Sequence, residues 1–172
     1  MLRIVLGEVR AGAVETPGRI EPADALWAGS AVAVTAPVDV GGRFSFAGEH
    51  KYFWHATLST LFRLECRRCL SPVEVPFRQE LELIFVGEED ALDDDVGCYV
   101  IPRRALELDL RETVREELLL AVPQFVECRE GCRGLCPRCG ANLNAGPCGC
   151  RAESDPRWAS LASLLPDRQT ED

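Results

Sequence analysis

Cys136-Pro137-Arg138-Cys139-Gly140 is the part of this chain best suited to chemistry. Two thiolates separated by two residues can grip one tetrahedral metal ion. The glycine that follows lets the backbone curl so that its N–H groups point at sulfur. Cys148-x-Cys150 closes the loop Gly140–Pro147 and completes a set of four sulfurs. Four zinc–sulfur bonds of roughly 2.3 Å close the tetrahedron and leave no open position, so the predicted zinc site is structural rather than catalytic.

The remaining cysteines extend this reading. Cys128, Cys132, Cys136, Cys139, Cys148 and Cys150 fall within 23 residues, and the chain holds nine cysteines in all. Cys98 reads as a small buried apolar side chain. Without it eight remain, which is two sets of four. Cys66-x-x-Cys69 could meet Cys128-x3-Cys132 in space and form a second site, so the expected cofactor is one zinc ion or two. A set in which Cys132 replaces Cys148 or Cys150 fits the spacing as well. Cys66-x-x-Cys69 is also a thiol-redox signature. Thioredoxin-like chemistry, however, places such a motif where a strand meets a helix, and here both flanks read as strands. The apolar run before Glu8 is too short for a secretory signal. Metal-bound thiolates in a reducing cytoplasm are therefore expected over a disulfide scaffold.

These residues must be positioned by an ordinary domain. The 172 residues are 47% hydrophobic and 27% charged, enough for a real core. The first 50 residues are punctuated by Gly and Pro and read as short strands, with a candidate over Ala31-Val32-Ala33-Val34. A turn is expected at Gly41-Gly42, before Arg43-Phe44-Ser45-Phe46. Leu58, Thr60, Phe62 and Leu64 alternate with polar positions. Beyond Ser71-Pro72, Val73, Val75, Phe77, Leu81, Leu83 and Phe85 fall on one face, opposite Glu74, Arg78, Glu80 and Glu82. The period of two predicts an antiparallel ribbon with Cys66–Cys69 at its tip, and Pro76 predicts an edge or a bulge. Glu88–Asp95 holds six acids in eight residues and reads as a solvated loop.

The period then changes. Leu110, Val114, Leu118 and Ala121 predict a helix over 109–122, with Asp109 as N-cap, Glu112 completing a capping box and Pro123 ending it. Asp155-Pro156 marks a second helix start, followed by Trp158, Leu161 and Leu165 on one stripe and a polar tail. The expected fold is α+β: an antiparallel β-rich unit that could close into a barrel, one main helix, and a cysteine-rich zinc-binding module. The expected division is 1–125, 126–152 and 153–172.

Formal net charge is −9, with 18 arginines and one lysine, Lys51. Such a chain repels bulk nucleic acid, so RNA contact must come from a local patch. Arg67 and Arg68 at the ribbon tip, with Arg133 and Arg138 in the cysteine module, are the candidates for phosphate contact. His50 and His55 lack partners at catalytic spacing, and no phosphate-binding glycine loop is present. No enzyme is expected.

Several ordered motifs resemble the YceD family. These are Cys66-Arg-Arg-Cys69-Leu70, Leu108-Asp109-Leu110, and Cys132-Arg-Gly-Leu-Cys136-Pro-Arg-Cys139-Gly-Ala-Asn-Leu-Asn144, followed by Cys148-Gly-Cys150 and Asp155-Pro156-Arg157-Trp158-Ala159. The resemblance covers roughly residues 30 to 165. It implies a bacterial, cytoplasmic, non-enzymatic factor in large ribosomal subunit biogenesis that supports 23S rRNA accumulation. The implied partners are the precursor large subunit, its rRNA or a ribosomal protein, with no membrane and no small-molecule substrate. Two alternatives stay open: a thiol-redox or metal-responsive protein using Cys66 and Cys69, and a protein–protein adaptor that never touches RNA.

Overall fold

The computed structural model describes residues 2–30, 33–88, 91, 97–150 and 157. The chain begins with β1 (Arg3–Val5), α1 (Leu6–Ala11), β2 (Val14–Glu15) and β3 (Gly18–Ile20). A single 3-10 turn over Ala25–Trp27 precedes three long strands, β4 (Val38–Gly48), β5 (Lys51–Glu65) and β6 (Pro72–Gly87). β7 (Cys98–Ile101), β8 (Glu107–Asp109) and α2 (Arg111–Leu120) follow.

The β5–β6 ribbon dominates. Its antiparallel register runs unbroken from Lys51 opposite Val86 to Glu65 opposite Pro72, with Cys66–Cys69 at the tip as the alternation predicts. Tyr52, Trp54, Ala56, Leu58 and Phe62 are buried on one face of β5, and Leu81 and Phe85 continue that face on β6. β4 flanks β5, β7 pairs in parallel with the end of β6, and β2 and β3 both pair with β4. Pro76 sits opposite Leu61 without a register shift. β7 reaches only Ile84–Gly87, so among the described residues Pro76 lies on a free edge, where a missing N–H costs no ladder bond.

The sheet does not close into a barrel. Its outer positions are held by strands of two to four residues at opposite ends, too short to seam together. The inner face is covered instead by α1, α2 and the separate β1–β8 pair. Leu2, Ile4, Val9, Leu110, Val114 and Leu118 share one core with Phe44, Trp54 and Phe85.

Other expectations need correction. Gly41 and Gly42 are not a turn but lie mid-strand in β4, opposite Thr57 and Ala56. At Gly42 the reason is close approach. A Cβ on Gly42 would come within 2.7 Å of the Ala56 Cβ and 2.9 Å of the Trp54 indole nitrogen. That indole is buried and donates to Thr16 Oγ1 at 2.9 Å, while the Thr16 N–H donates to the Gly42 carbonyl at 2.7 Å. The turn comes at Gly48, Glu49 and His50, all with positive φ.

Ala31 and Val32 lie outside the described residues, and Val34 makes only a single bridge to Phe62. The helix is Arg111–Leu120 rather than 109–122. Asp109 belongs to β8 and accepts from the Arg111 N–H at 3.0 Å, while the N-cap is Leu110, with no side-chain cap, so no capping box forms. The Leu110, Val114, Leu118 stripe is fully buried, and Ala121 is half-buried. Cys98 is half-buried in β7. Most of the acidic stretch 88–95, and the helix expected from Asp155 with Trp158, Leu161 and Leu165, fall outside the described residues.

The Gly42 contacts generate a prediction. Gly42→Ala is expected to destabilise the protein by about 2 kcal/mol through overpacking against Trp54 and Ala56. Urea unfolding followed by tryptophan fluorescence would measure it.

Candidate metal centres

Cys66–Cys69 and Cys136–Cys139 form the same backbone knuckle. In the first, the Leu70 N–H donates to the Cys66 carbonyl at 2.9 Å and the Cys66 N–H to the Ser71 carbonyl at 2.9 Å. In the second, Gly140 and Ala141 take the equivalent places, with distances of 2.9 and 2.8 Å. The residue after the second cysteine is left-handed in both, at φ 59° for Leu70 and 71° for Gly140. Gly140 adopts this conformation without penalty, whereas a leucine there costs about 1–2 kcal/mol.

Both knuckles turn N–H groups onto their first sulfur. Burial works against the Cys66 thiolate, but the backbone N–H groups of Arg68, Cys128 and Cys69 overcome it and hold the thiol down to about 6. The N–H groups of Cys139 and Arg138, helped by Cys148, bring Cys136 to about 6 as well. Ser71 lowers Cys69, whose sulfur lies 3.3 Å from the Ser71 hydroxyl oxygen.

The structure gathers the cysteines into two groups. Cys66, Cys69, Cys128 and Cys132 form one; Cys136, Cys139, Cys148 and Cys150 form the other. Within each, all four sulfurs lie within 4.8 Å of one another. The Cys66–Cys132 and Cys69–Cys128 sulfur separations are 3.8 and 3.6 Å. All nine cysteines are free, and these separations far exceed a disulfide bond of about 2.05 Å. They match instead the edge of roughly 3.8 Å that four sulfurs about 2.3 Å from one centre must have. Each group could therefore hold one metal ion. Cys132 stands with Cys66, so a set that joins it to Cys148 or Cys150 is not the one adopted.

Crowding among the sulfurs raises Cys128, Cys148 and Cys150. Cys128 is pushed up to about 12, first by the Cys69 sulfur and then by burial, Cys132 and Cys66. Cys150 is pushed up to about 12 by the Cys139 sulfur, burial, Cys136 and Cys148. Cys148 also rises: the Cys150 backbone favours its thiolate, but Cys136, burial and Cys139 oppose it. Each group thus combines a stabilised thiolate with a thiol that a neighbouring thiolate keeps protonated. A dication removes that conflict.

The first group joins distant parts of the chain. Past α2, the backbone runs beside the first knuckle, where the Arg67 N–H donates to the Val126 carbonyl at 2.8 Å. The Arg67 guanidinium donates to Glu127 at 2.8 Å and stacks over Phe125, 5.4 Å from its ring centre. The Leu135 N–H donates to the Arg68 carbonyl at 3.0 Å. Gly134, at φ 75°, allows this contact, because a Cβ there would sit 3.0 Å from the Arg68 oxygen.

Among the arginine candidates, Arg67 is therefore committed to Glu127 and Phe125. Arg68 lies 3.9 Å from the same carboxylate. Arg133 and Arg138 are exposed on the cysteine module. Spacing alone does not reveal Ser71, Glu127 or Asn144, whose side chains touch the sulfurs or the segment carrying them. The sequence signals for Asn144 are its place inside the loop between Cys139 and Cys148 and at the end of the motif string Cys132–Asn144.

Gly134→Ala is expected to destabilise this junction by about 1–2 kcal/mol, since the residue must stay left-handed against the Arg68 backbone. Hydrogen exchange at the Leu135 amide would report the loosening directly.

Comparison with known proteins agrees with the architecture of the motifs. An uncharacterized protein of Mycobacterium bovis is 36% identical over 106 residues, covering 59% of this chain and 49% of its own length. The chain thus spans about half the length of the mycobacterial relatives it matches. A chloroplastic protein of Arabidopsis thaliana, named large ribosomal RNA subunit accumulation protein YCED homolog 1, is 30% identical over 57% of this chain and 34% of its own length. Protein YlbN of Bacillus subtilis, described as uncharacterized, is 30% identical over 76% of this chain and 75% of its own length. No solved structure gives a significant match. Residues 54–165, which hold the ribbon, α2 and all eight clustered cysteines, match the family described as Large ribosomal RNA subunit accumulation protein YceD, and the chain belongs to that family.

Proposed function

We propose that this protein is a non-enzymatic factor in the biogenesis of the large ribosomal subunit, supporting 23S rRNA accumulation from a reducing, cytoplasmic compartment. Family membership carries this reading, since relatives in plants are named for large ribosomal RNA subunit accumulation. The partner is the precursor large subunit, through its rRNA or a ribosomal protein.

Zinc is the metal that suits the two four-sulfur groups. Thiolate donors are soft, and zinc takes four of them in a tetrahedron without redox chemistry. The residues holding it are Cys66, Cys69, Cys128 and Cys132 in one centre and Cys136, Cys139, Cys148 and Cys150 in the other. When bound, zinc supplies cross-linking and charge neutralisation; four sulfurs leave no position for a substrate. A redox role for Cys66 and Cys69 fits less well. Their knuckle lies between two strands, and the sulfurs nearest to them from outside the knuckle are Cys132 and Cys128, which complete a ligand set.

RNA contact on an acidic protein falls to the arginines around this junction. Arg68, Arg133 and Arg138 meet phosphate, while Arg67 holds the Phe125–Glu127 segment in place. The Arg68–Leu135 backbone hydrogen bond, which brings the ribbon tip beside the cysteine module that carries Arg133 and Arg138, supports this reading.

Protein purified without chelators is expected to carry two zinc ions per chain, falling to one in a Cys148→Ser/Cys150→Ser variant. Binding at neutral pH should release at least one proton per site, from Cys128 and from Cys150. The sign is that acid competes with metal. Elemental analysis and calorimetry in buffers of different ionisation enthalpy measure both quantities, and a zinc content near one would remove the first centre.

The functional reading is tested in cells and in solution. The protein should co-sediment with precursor large subunits, and its depletion should lower large-subunit rRNA relative to small-subunit rRNA. If neither occurs, the reading fails. For direct RNA binding, an Arg68→Gln/Arg133→Gln variant should bind more weakly. Its dependence of log affinity on log salt should flatten by about 0.7 for each phosphate that is no longer neutralised.

A further inference from the structure

Asn144 belongs to one cysteine group by sequence and touches the other in space. It lies in the loop between Cys139 and Cys148, whose two ends are ligands of the second group. Yet its side-chain Nδ2 donates to the Sγ of Cys132, a member of the first group, at 3.3 Å. Its Oδ1 accepts from the Arg133 N–H and from the Arg129 guanidinium, both at 2.9 Å.

The loop holds Asn144 firmly in that place. Asn142 Oδ1 accepts from the Asn144 N–H at 3.0 Å and from its Nδ2 at 2.9 Å. The Leu143 N–H donates to the Gly134 carbonyl at 2.9 Å, and Leu135 bridges Asn142. Closing the second group thus fixes a loop whose side chain and backbone grip the segment Arg129–Leu135, which carries Cys132.

We propose that the two centres load metal cooperatively, with Asn144 as the positioning residue that couples them. This rests on reading both groups as metal centres. Ordering of the loop by metal in the second centre aims the Asn144 amide at Cys132 and places that sulfur for the first. Outer groups that donate to a ligand typically change metal affinity by about 10- to 100-fold. Linkage makes the effect reciprocal: metal in the first centre must tighten the second by the same factor.

The test is a Co2+ titration of the full chain, followed by thiolate-to-cobalt absorption and by competition with a chelator. Three proteins are compared with the unaltered one: Cys148→Ser/Cys150→Ser, Cys66→Ser/Cys69→Ser and Asn144→Asp. Each double variant is expected to hold Co2+ at its remaining centre about 10- to 100-fold more weakly than the full chain does. Asn144→Asp keeps all eight cysteines and both acceptor positions but removes the donated N–H, and it should weaken the first centre to a similar degree. Its charge-transfer band should also move to longer wavelength, because the Cys132 sulfur lone pair loses the hydrogen bond that stabilises it. A loosened fold alone would not move that band.

Unchanged affinity in the double variants, or an Asn144→Asp protein with native affinity and an unshifted band, overturns the coupling while leaving two metal centres standing. If a double variant fails to fold by circular dichroism, Asn144→Asp decides the matter. Absence of thiolate-to-cobalt absorption in the unaltered protein overturns the coupling and the metal reading beneath it.

Discussion

The described segment beyond α2, up to Cys150, depends on the meeting of Cys66, Cys69, Cys128 and Cys132. The β5–β6 ribbon carries its tip away from the main core, and what packs there is small. Cys66, Cys69 and Cys132 are buried, and among the described residues the hydrophobic side chains packed against them are the partly buried Val73 and Leu135. So little apolar surface cannot hold a segment of some thirty residues against its conformational entropy. The segment is tied by the sulfurs and by a few backbone hydrogen bonds from Arg67, Arg68 and Leu135. A metal ion held at that point would supply the free energy that a hydrophobic core of this size lacks.

The main core solves a different problem. A long ribbon with one apolar face must cover that face, and short end strands cannot do it by closing a barrel. Helices α1 and α2 and the β1–β8 pair cover it instead, with Phe44, Trp54, Phe62 and Phe85 as the largest fully buried side chains among the described residues. Trp54 is the costliest of these, because its indole N–H must find an acceptor inside. Thr16, fully buried beside β4, supplies it. Gly42 is the space that this hydrogen bond requires. Gly42 within a strand therefore records the size of a side chain on the neighbouring strand, not a change of direction.

The two knuckles show how one backbone solution is reached by different residues. Gly140 takes the left-handed position freely, and Leu70 takes it at a cost. Both conformations deliver two N–H groups to the first sulfur of the pair and lower Cys66 and Cys136 alike. Arg67 and Arg68 lie in the first knuckle and Arg133 and Arg138 in the cysteine module, on a chain whose net charge is −9. Arg67 is engaged in joining ribbon and module, through Glu127 and Phe125.

By itself the sequence determined the features that are local and periodic. Alternation over Val73–Phe85 specified a half-buried strand, the Leu110, Val114, Leu118 spacing a helix with one buried stripe, and the Cys136–Cys150 spacing a four-sulfur set, with a second set left as one of several arrangements. These follow from the geometry of one element, or from chemistry confined to a few bonds. Tertiary structure alone decided what depends on distant neighbours. It kept the sheet open, made Gly42 a strand residue beneath Trp54, and moved the helix start past Asp109. It also placed Cys132 with Cys66 rather than with Cys148. Spacing could not decide that last choice, because both partners lie within reach of a flexible loop. Only the ribbon, by carrying Cys66 and Cys69 to the base of the cysteine module, brings the sulfurs of the first group to within 4.8 Å of one another.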